Sequence, residues 1–219
     1  RSRGLGDVYK RQVIKPITKI KFLNFKLTHP VGLAAGFDKN AEALPGLLKQ
    51  NFSFIEIGTV TPLPQIGNSK PRVFRVPEEK SIINKLGFPN LGASKIFNNL
   101  CKIRKYHTLG LEPLIGVNIG CNKNTKNPIK DYEKCFEIFS SVADYITINV
   151  SSPNTPGLRK LQLQNNLAPL LKTLSNKREE YFKKNKRKIP LVLKIAPDLV
   201  DSDLKSIVKL IKSYQIEGC

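Results

Sequence analysis

The sequence predicts an α/β protein with the (β/α)8 (TIM) barrel fold, of which these residues hold about five βα units. Short apolar runs of strand character recur along the chain, and each is followed by a segment with helical periodicity. Every run also ends in small or polar residues. In a closed barrel, the carboxyl ends of all five strands surround one site. In an open doubly wound sheet, site residues are expected only at the switch point where the strand order reverses. We therefore expect a barrel with its site at the carboxyl ends of the strands.

The predicted strands are short and continuously apolar, as strands buried on both faces should be. In chain order they cover residues 31–35, 52–60, 114–119, 145–150 and 191–195. The helical patterns between and after them cover residues 41–50, 91–106, 129–142, 167–183 and 202–213. Five successive units of this kind imply a parallel sheet with right-handed crossovers.

Two segments add detail to this prediction. In the last helix, apolar residues recur with the spacing i, i+3, i+4 and i+7, and Asp201 or Ser202 is placed to cap its first turn. The connection over residues 61–90 is far longer than the 2–6 residues that roughly suffice for such a loop. It contains the alternating stretch PRVFRV, which predicts a strand-containing excursion over the mouth of the barrel.

The charge of the chain is strongly positive, with 37 Lys and Arg against 17 Asp and Glu, a net charge of +20. Lys supplies most of it, whereas surfaces that grip phosphates favour the forked guanidinium of Arg. The densest stretch, Lys172 to Lys188, is predicted to be one long solvated helix that also carries Glu179 and Glu180. We expect no nucleic-acid site there, and a basic nucleic-acid-binding module remains the least favoured alternative.

The ends of the sequence are unusual. The chain contains no Met and opens on RSRGLGDVYKRQ, so residues 1–12 are predicted to be a foreign leader, and residues 13–219 a partial barrel domain. The last four residues stand where a further strand is expected to begin. No apolar stretch reaches the roughly 20 residues of a membrane-spanning helix. The four cysteines lie too far apart for a metal or redox motif, which favours inert thiols.

Amides, hydroxyls and two lysines dominate the predicted site. The acidic residues near the strand ends, Asp38, Glu56 and Asp198, are separate from one another, and neither histidine follows a strand, which disfavours a metal site and a Ser-His-Asp hydrolase. The inventory suits a planar cofactor with a planar anionic substrate. Its members are Lys39, Thr59, Asn84, Asn118, Asn149, Ser151, Ser152, Asn154 and Lys194.

Six strings in register carry a resemblance to a known family: GLAAGFDKNAE, FIEIGTVTPLPQIGNSKPRVFR, INKLGFPNLGA, GVNIGCNK, INVSSPNTPGLR and LKIAPDL. From about Leu23 onward the chain resembles the flavin-dependent dihydroorotate dehydrogenases of the quinone-linked class (class 2). The position of Ser152 matches the base of that class, whereas the soluble class has a cysteine there. A soluble-class or dihydropyrimidine-type flavoenzyme is thus the first alternative. Relative to the family, the chain is expected to be a fragment without the N-terminal helical domain and the C-terminal third, inactive and unable to retain FMN by itself.

The resemblance implies an activity and a role for each residue. Dihydroorotate is oxidised to orotate in pyrimidine (UMP) biosynthesis, with FMN as cofactor and a ubiquinone-type quinone as electron acceptor. The enzyme would be peripheral to an inner (cytoplasmic or mitochondrial) membrane, which it contacts through the N-terminal domain. Ser152 is the implied base, with Thr155 as its proton relay. The implied substrate residues are Lys39, Asn84, Gly87, Phe88, Asn149 and Asn154. The implied FMN residues are Ala35, Gly36, Thr59, Asn118, Asn149 and Lys194.

Overall fold

The structure, a computed structural model, describes residues 20–219, and the predicted leader over residues 1–12 therefore lies outside the described residues. This part of the chain contains nine strands and five α-helices. In order they are β1 (Ile20–Phe22), β2 (Phe25–Leu27), β3 (Gly32–Leu33), α1 (Leu44–Leu47), β4 (Phe54–Val60), β5 (Val73–Val76), β6 (Ser81–Asn84), α2 (Ala93–Arg104), β7 (Leu114–Ile119), α3 (Pro128–Phe139), β8 (Tyr145–Asn149), α4 (Gln164–Asn185), β9 (Leu191–Lys194) and α5 (Asp201–Ser213).

The central sheet has five parallel strands in the order β3-β4-β7-β8-β9. These are the five strands predicted from the sequence, and each is followed by a helix, in the case of β4 after the β5–β6 hairpin. The strand order never reverses, as it would at the switch point of a doubly wound sheet. Gly218 then pairs in parallel with Val192 of β9, at the position where a further strand is expected. The prediction of about five consecutive βα units of a barrel is confirmed.

The two faces of these strands differ, because successive side chains point to opposite sides. Outward-facing residues such as Ile57, Val117 and Ile148 are fully buried against the helices and form the main core. Near the amino ends, the inner face is closed by the β1–β2 hairpin. The Phe22 ring there stacks on Phe54 at 4.9 Å and meets Tyr145 edge-on at 5.6 Å. The sequence does not predict this hairpin.

The first predicted helix, over residues 41–50, is much shorter in the structure, where α1 spans only Leu44–Leu47. The reason is the buried carboxylate of Asp38, which accepts hydrogen bonds from the backbone N–H groups of Asn40, Glu42 and Ala43. This side chain holds the segment before α1 in a turn. Local side-chain hydrogen bonds of this kind compete with helix formation.

The cap predicted for the last helix is wrong. Asp201 is the first residue of α5, and the cap position belongs to Val200, which makes no side-chain hydrogen bond to the helix. Asp201 and Asp203 instead place negative charge in the first turn, where the helix dipole favours it.

The long connection after β4 contains two strands, as PRVFRV predicts. Strands β5 and β6 form an antiparallel hairpin, with Val73 opposite Asn84. The connection is closed at its base by a bridge in which the backbones of Gln65 and Asn90 exchange hydrogen bonds of 3.0 Å. This closure brings Asn84 and the residues after it to the carboxyl ends of the barrel strands.

The basic stretch predicted to be one helix lies mostly in α4, which ends at Asn185 before the last three basic residues, and it is not solvated throughout. Arg178 of α4 is fully buried, and its guanidinium donates to the carboxylate of Glu217 at 2.8 and 3.0 Å. Lys177 contacts the carboxylates of Glu133 and Glu137 on α3. Several of these cations are therefore used within the fold. None of the helices over residues 20–219 combines the length and hydropathy needed to span a bilayer.

Candidate active site

A cavity of about 390 Å³ opens at the carboxyl ends of the barrel strands, where the sequence predicts the site. All but two of the predicted site residues line it. Those in the wall are Ala35, Gly36, Lys39, Thr59, Asn84, Gly87, Phe88, Asn149, Ser151, Ser152, Asn154 and Lys194. They come from the ends of β3, β4, β8 and β9 and from the excursion after β4, so the fold gathers segments that are far apart in the sequence.

Three buried polar side chains form the floor of the cavity. The Thr59 hydroxyl donates to Oδ1 of Asn118 at 2.6 Å. Nδ2 of Asn149 donates to the Thr59 hydroxyl and to Oδ1 of Asn118, both at 3.0 Å. Asn118 lies wholly buried beneath the other two, which is why it does not line the cavity itself. The triangle fixes each amide in one orientation, as a preorganised site requires.

A carboxylate inside the barrel anchors this floor from below. Glu56 accepts hydrogen bonds from Nδ2 of Asn118 and from the Thr147 hydroxyl, both at 2.7 Å, and from Tyr145 at 3.3 Å. Burial, together with the adjacent Glu56 carboxylate, raises the pKa of Tyr145 well above its ordinary value. The sequence presents Glu56 only as an acid that lies apart from the others. Its inward position on β4 was the signal that it belongs to the floor.

Gly58 allows β4 to carry Thr59 into this floor. Its φ is +106°, a conformation that L side chains rarely adopt, and a Cβ there would lie 2.5 Å from the carbonyl oxygen of Asn118. We expect Gly58→Ala to lower the free energy of unfolding by about 1–3 kcal/mol through backbone strain alone. Urea unfolding would measure this. The control is Gly46→Ala in α1, where a Cβ meets nothing within 4 Å, and an equal loss in both variants would contradict the prediction.

The two serines after β8 differ in their contacts. The Ser151 hydroxyl donates to Oδ1 of Asn149 at 2.8 Å, which fixes that amide from its other end. The Ser152 hydroxyl accepts a 3.2 Å hydrogen bond from the backbone N–H of Asn154 and lines the cavity. Ser151 also lines the cavity, but its hydroxyl is engaged with the floor, whereas the Ser152 hydroxyl makes no contact with the floor residues Thr59, Asn118 and Asn149.

Two lysines, Lys39 and Lys194, also line the cavity. Nζ of Lys39 contacts the carbonyl oxygen of Gly36. Partial burial and the nearby Arg72 lower the pKa of Lys39, while Asp38 opposes the shift. Lys194 stands exposed at the end of β9. Leu191 and Leu193 before it are buried, whereas Lys194 lines the cavity.

Arg159 is a wall residue that sequence reasoning missed. Its Nε donates to the carbonyl oxygen of Ser151 at 3.1 Å, and Nη1 contacts the Asp198 carboxylate at 2.9 Å. This hydrogen bond lowers the pKa of Asp198. The contacts tie the segment after β8 to the segment after β9. The available signal was its place at the end of the INVSSPNTPGLR string. Other cavity residues beyond the predicted set are Leu86, Pro153, Ile195 and Pro197.

Thr155, the predicted relay, faces a different cavity. It is buried beside Cys121 and Asn122 around a smaller space of about 140 Å³. Burial and the nearby Asp131 raise the pKa of Cys121 to about 12, so this thiol is not a nucleophile at neutral pH. His107, after α2, contacts the carbonyl oxygen of Pro113 rather than the site. Within residues 20–219, no three His, Cys, Asp or Glu side chains form a group that could hold a metal ion.

The chain matches a known protein family and is similar to curated members of it. The family described as Dihydroorotate dehydrogenase matches residues 17–219. The chain is 46% identical over 215 residues to the dihydroorotate dehydrogenase (quinone) of Bartonella tribocorum, covering 98% of this chain and 57% of that protein. It is 44% identical over 216 residues to the enzyme of the same name from Buchnera aphidicola, covering 97% of this chain and 62% of the relative.

A solved structure shows the same similarity in three dimensions. It is a crystal structure of DHODH in complex with ferulenol from Eimeria tenella, with a TM-score of 0.86 and 35% identity, covering 96% of this chain and 60% of that one. The chain thus spans about 60% of the length of the proteins that it matches.

Proposed function

Because this chain belongs to the dihydroorotate dehydrogenase family, we propose that the full-length enzyme carrying it oxidises dihydroorotate to orotate with FMN and a quinone. The observation that carries the proposal is the position of Ser152 in one cavity with Lys39, Asn84 and Asn154. A hydroxyl base, a cation for a carboxylate and two amides for a pyrimidine ring are the groups that this substrate requires.

The residues fit a flavin. The floor offers amides and hydroxyls of fixed orientation, and Gly36 leaves open space, since a Cβ there would meet nothing within 4 Å. Ala35, Gly36, Thr59 and Asn149 would hold the ring system, with Asn118 orienting the latter two from below. Lys194 would contribute positive charge at the end of β9. When bound, FMN supplies a hydride acceptor and passes two electrons to the quinone.

The side chains of the chain itself then have distinct tasks. Lys39 binds the carboxylate of dihydroorotate, and Asn84, Asn149 and Asn154 hydrogen-bond the ring against a wall formed by Gly87 and Phe88. Ser152 removes the proton from C5 as the hydride leaves C6, so that the C5–C6 bond becomes the double bond of orotate. The proton held on Ser152 must be passed on, and we propose Thr155 as the relay. Because Thr155 faces the smaller cavity, this route requires a bridging water.

The electron acceptor and location follow from the class. The relatives named above are quinone enzymes, and Ser152 stands where the soluble class has a cysteine, which supports a ubiquinone-type acceptor. We propose a peripheral location on an inner membrane and a role in pyrimidine biosynthesis. The soluble-class alternative is disfavoured by Ser152. A nucleic-acid-binding role is disfavoured by the contacts of Arg178 and Lys177 within the fold.

The test is anaerobic reduction of the flavin-loaded, full-length enzyme. Dihydroorotate should bleach the flavin absorbance and yield one orotate per flavin, and a short-chain ubiquinone should restore the absorbance faster than fumarate or NAD. Failure of dihydroorotate to bleach the flavin would refute the proposed substrate. Faster recovery with fumarate or NAD would instead indicate a soluble class.

Lys39 should act mainly in substrate binding, because it meets a carboxylate that is present in both the ground state and the transition state. We expect Lys39→Ala to raise the KM for dihydroorotate at least ten-fold (about 1.4 kcal/mol) with a smaller change in kcat. Steady-state kinetics at saturating quinone would measure both. Lys49→Ala, at an exposed position after α1, is the control. A fall in kcat at unchanged KM would assign Lys39 a different role.

A further inference from the structure

Asn68, in the excursion after β4, uses all of its polar groups in contacts with other segments. Its side-chain Nδ2 donates to the carbonyl oxygens of Lys85 at 3.0 Å and of Asn154 at 3.1 Å. Its Oδ1 accepts from Nζ of Lys123 at 3.1 Å. Its backbone N–H donates to the Leu86 carbonyl oxygen at 3.0 Å.

These contacts join segments that carry the two amides assigned to the pyrimidine ring. Lys85 directly follows Asn84 at the end of β6, and Asn154 lies in the loop after β8. The two amides also meet each other, since Nδ2 of Asn154 donates to the backbone carbonyl oxygen of Asn84 at 3.2 Å and to its Oδ1 at 3.4 Å. One amide group, that of Asn68, therefore bridges the backbones on which both ring-binding side chains stand.

A second contact holds the Asn68 side chain against the wall. A Cβ on Gly87 would lie 2.7 to 2.9 Å from the Asn68 amide atoms, so the amide packs directly on this glycine. Arg72 also holds the backbone of this segment. Its Nη1 donates to the backbone carbonyl oxygen of Asn68 at 3.0 Å and to that of Ile66 at 2.6 Å. The position of Asn68 is thus fixed from several sides.

We propose that Asn68 is a positioning residue that sets the separation of Asn84 and Asn154 and thereby the affinity of the site for the pyrimidine. Asn68 does not line the cavity, so it acts only through these two residues. The inference rests on the proposed function. A side-chain amide suits this bridge, because its NH2 group donates to both carbonyl oxygens, whereas a carboxylate would direct lone pairs at them.

Two variants test this in the flavin-loaded, full-length enzyme. Asn68→Ala removes the bridge, and Asn68→Asp keeps the shape and the acceptor for Lys123 but removes both donors. We expect either change to weaken orotate binding, measured by titration of the flavin absorbance, about ten- to a hundred-fold, as loss of two hydrogen bonds predicts. The KM for dihydroorotate should rise in parallel, with kcat changed less than three-fold, flavin content unchanged, and any fall in the thermal midpoint too small to unfold the enzyme at the assay temperature.

The Asp variant adds a pH signature that a purely structural role would not produce. When the carboxyl group introduced by Asn68→Asp is protonated, it regains one donor. The orotate affinity of Asn68→Asp, relative to that of the parent enzyme, should therefore recover as the pH falls. The orotate affinity of Asn68→Ala should stay low at every pH. The control is Asn185→Ala at the end of α4, where the amide only contacts the Tyr181 carbonyl oxygen of its own helix.

The outcomes separate this inference from the proposed function. If the parent enzyme gives no spectral change with orotate, the proposed function fails and the inference fails with it. If the parent binds orotate and Asn68→Ala binds it within about two-fold, only the positioning role is overturned. A loss of flavin or of thermal stability that accounts for the weaker binding, with no recovery of Asn68→Asp at low pH, would also overturn it.

Discussion

Ser152→Ala is expected to slow reduction of the bound flavin by dihydroorotate about 10²- to 10⁴-fold, the usual contribution of a positioned base. Ser152 lines the cavity, and its oxygen is oriented by the N–H of Asn154. Removal of the hydroxyl leaves the floor formed by Thr59 and Asn149 intact. Flavin affinity and the quinone half-reaction should therefore remain nearly unchanged. Stopped-flow bleaching under anaerobic conditions measures the reductive step alone.

The neighbouring serine provides the matched control. Ser151→Ala removes a hydroxyl of the same size from the same loop but takes away only a hydrogen bond to the Asn149 amide. Its rate of flavin reduction should fall by less than about ten-fold, the value of one neutral hydrogen bond. If Ser152→Ala reduced its flavin within a few-fold of the parent rate, the base would lie elsewhere and the assignment to the quinone-linked class would lose the support of this residue.

Arg178→Ala should cause the largest loss of stability, about 3–5 kcal/mol, the usual cost of removing one partner of a buried ion pair. Besides the Glu217 carboxylate, the guanidinium donates to the carbonyl oxygens of Gln215 at 2.8 Å and Tyr214 at 3.2 Å. It therefore connects α4 to the chain that follows α5. Glu217 in turn accepts from the backbone N–H of Leu191 at the start of β9. Equilibrium urea unfolding would measure the loss.

Two further variants make this prediction specific. Lys177→Ala removes the adjacent, partly exposed cation of α4 and should have a far smaller effect, because ion pairs open to solvent contribute little. The double variant Arg178→Ala with Glu217→Ala should recover part of the loss, since no carboxylate is then left without its partner. An effect of Arg178→Ala no larger than that of Lys177→Ala would show that the buried guanidinium does not stabilise the fold.

The sequence by itself determined the barrel units and most of the cavity wall. Continuous apolar runs define strands buried on both faces, and the parallel sheet then brings every strand's carboxyl end to one side. The residues that follow each strand, from Lys39 to Lys194, could therefore be assigned to one site before any distance was known. The family resemblance added roles to those positions, because six strings in register specify more than periodicity does.

Only the tertiary structure decided which polar groups act together. Glu56, Arg159 and Asn68 have no local pattern that reveals their partners, since each contacts residues between 8 and 91 positions away. The same limit explains the wrong assignments. The short α1 depends on the Asp38 carboxylate, which accepts hydrogen bonds from the backbone that follows it, and the buried Arg178 pairs with Glu217 in the segment after α5. Periodicity reports which face of an element is buried, whereas hydrogen-bond partners depend on how the elements pack, which the local sequence does not encode.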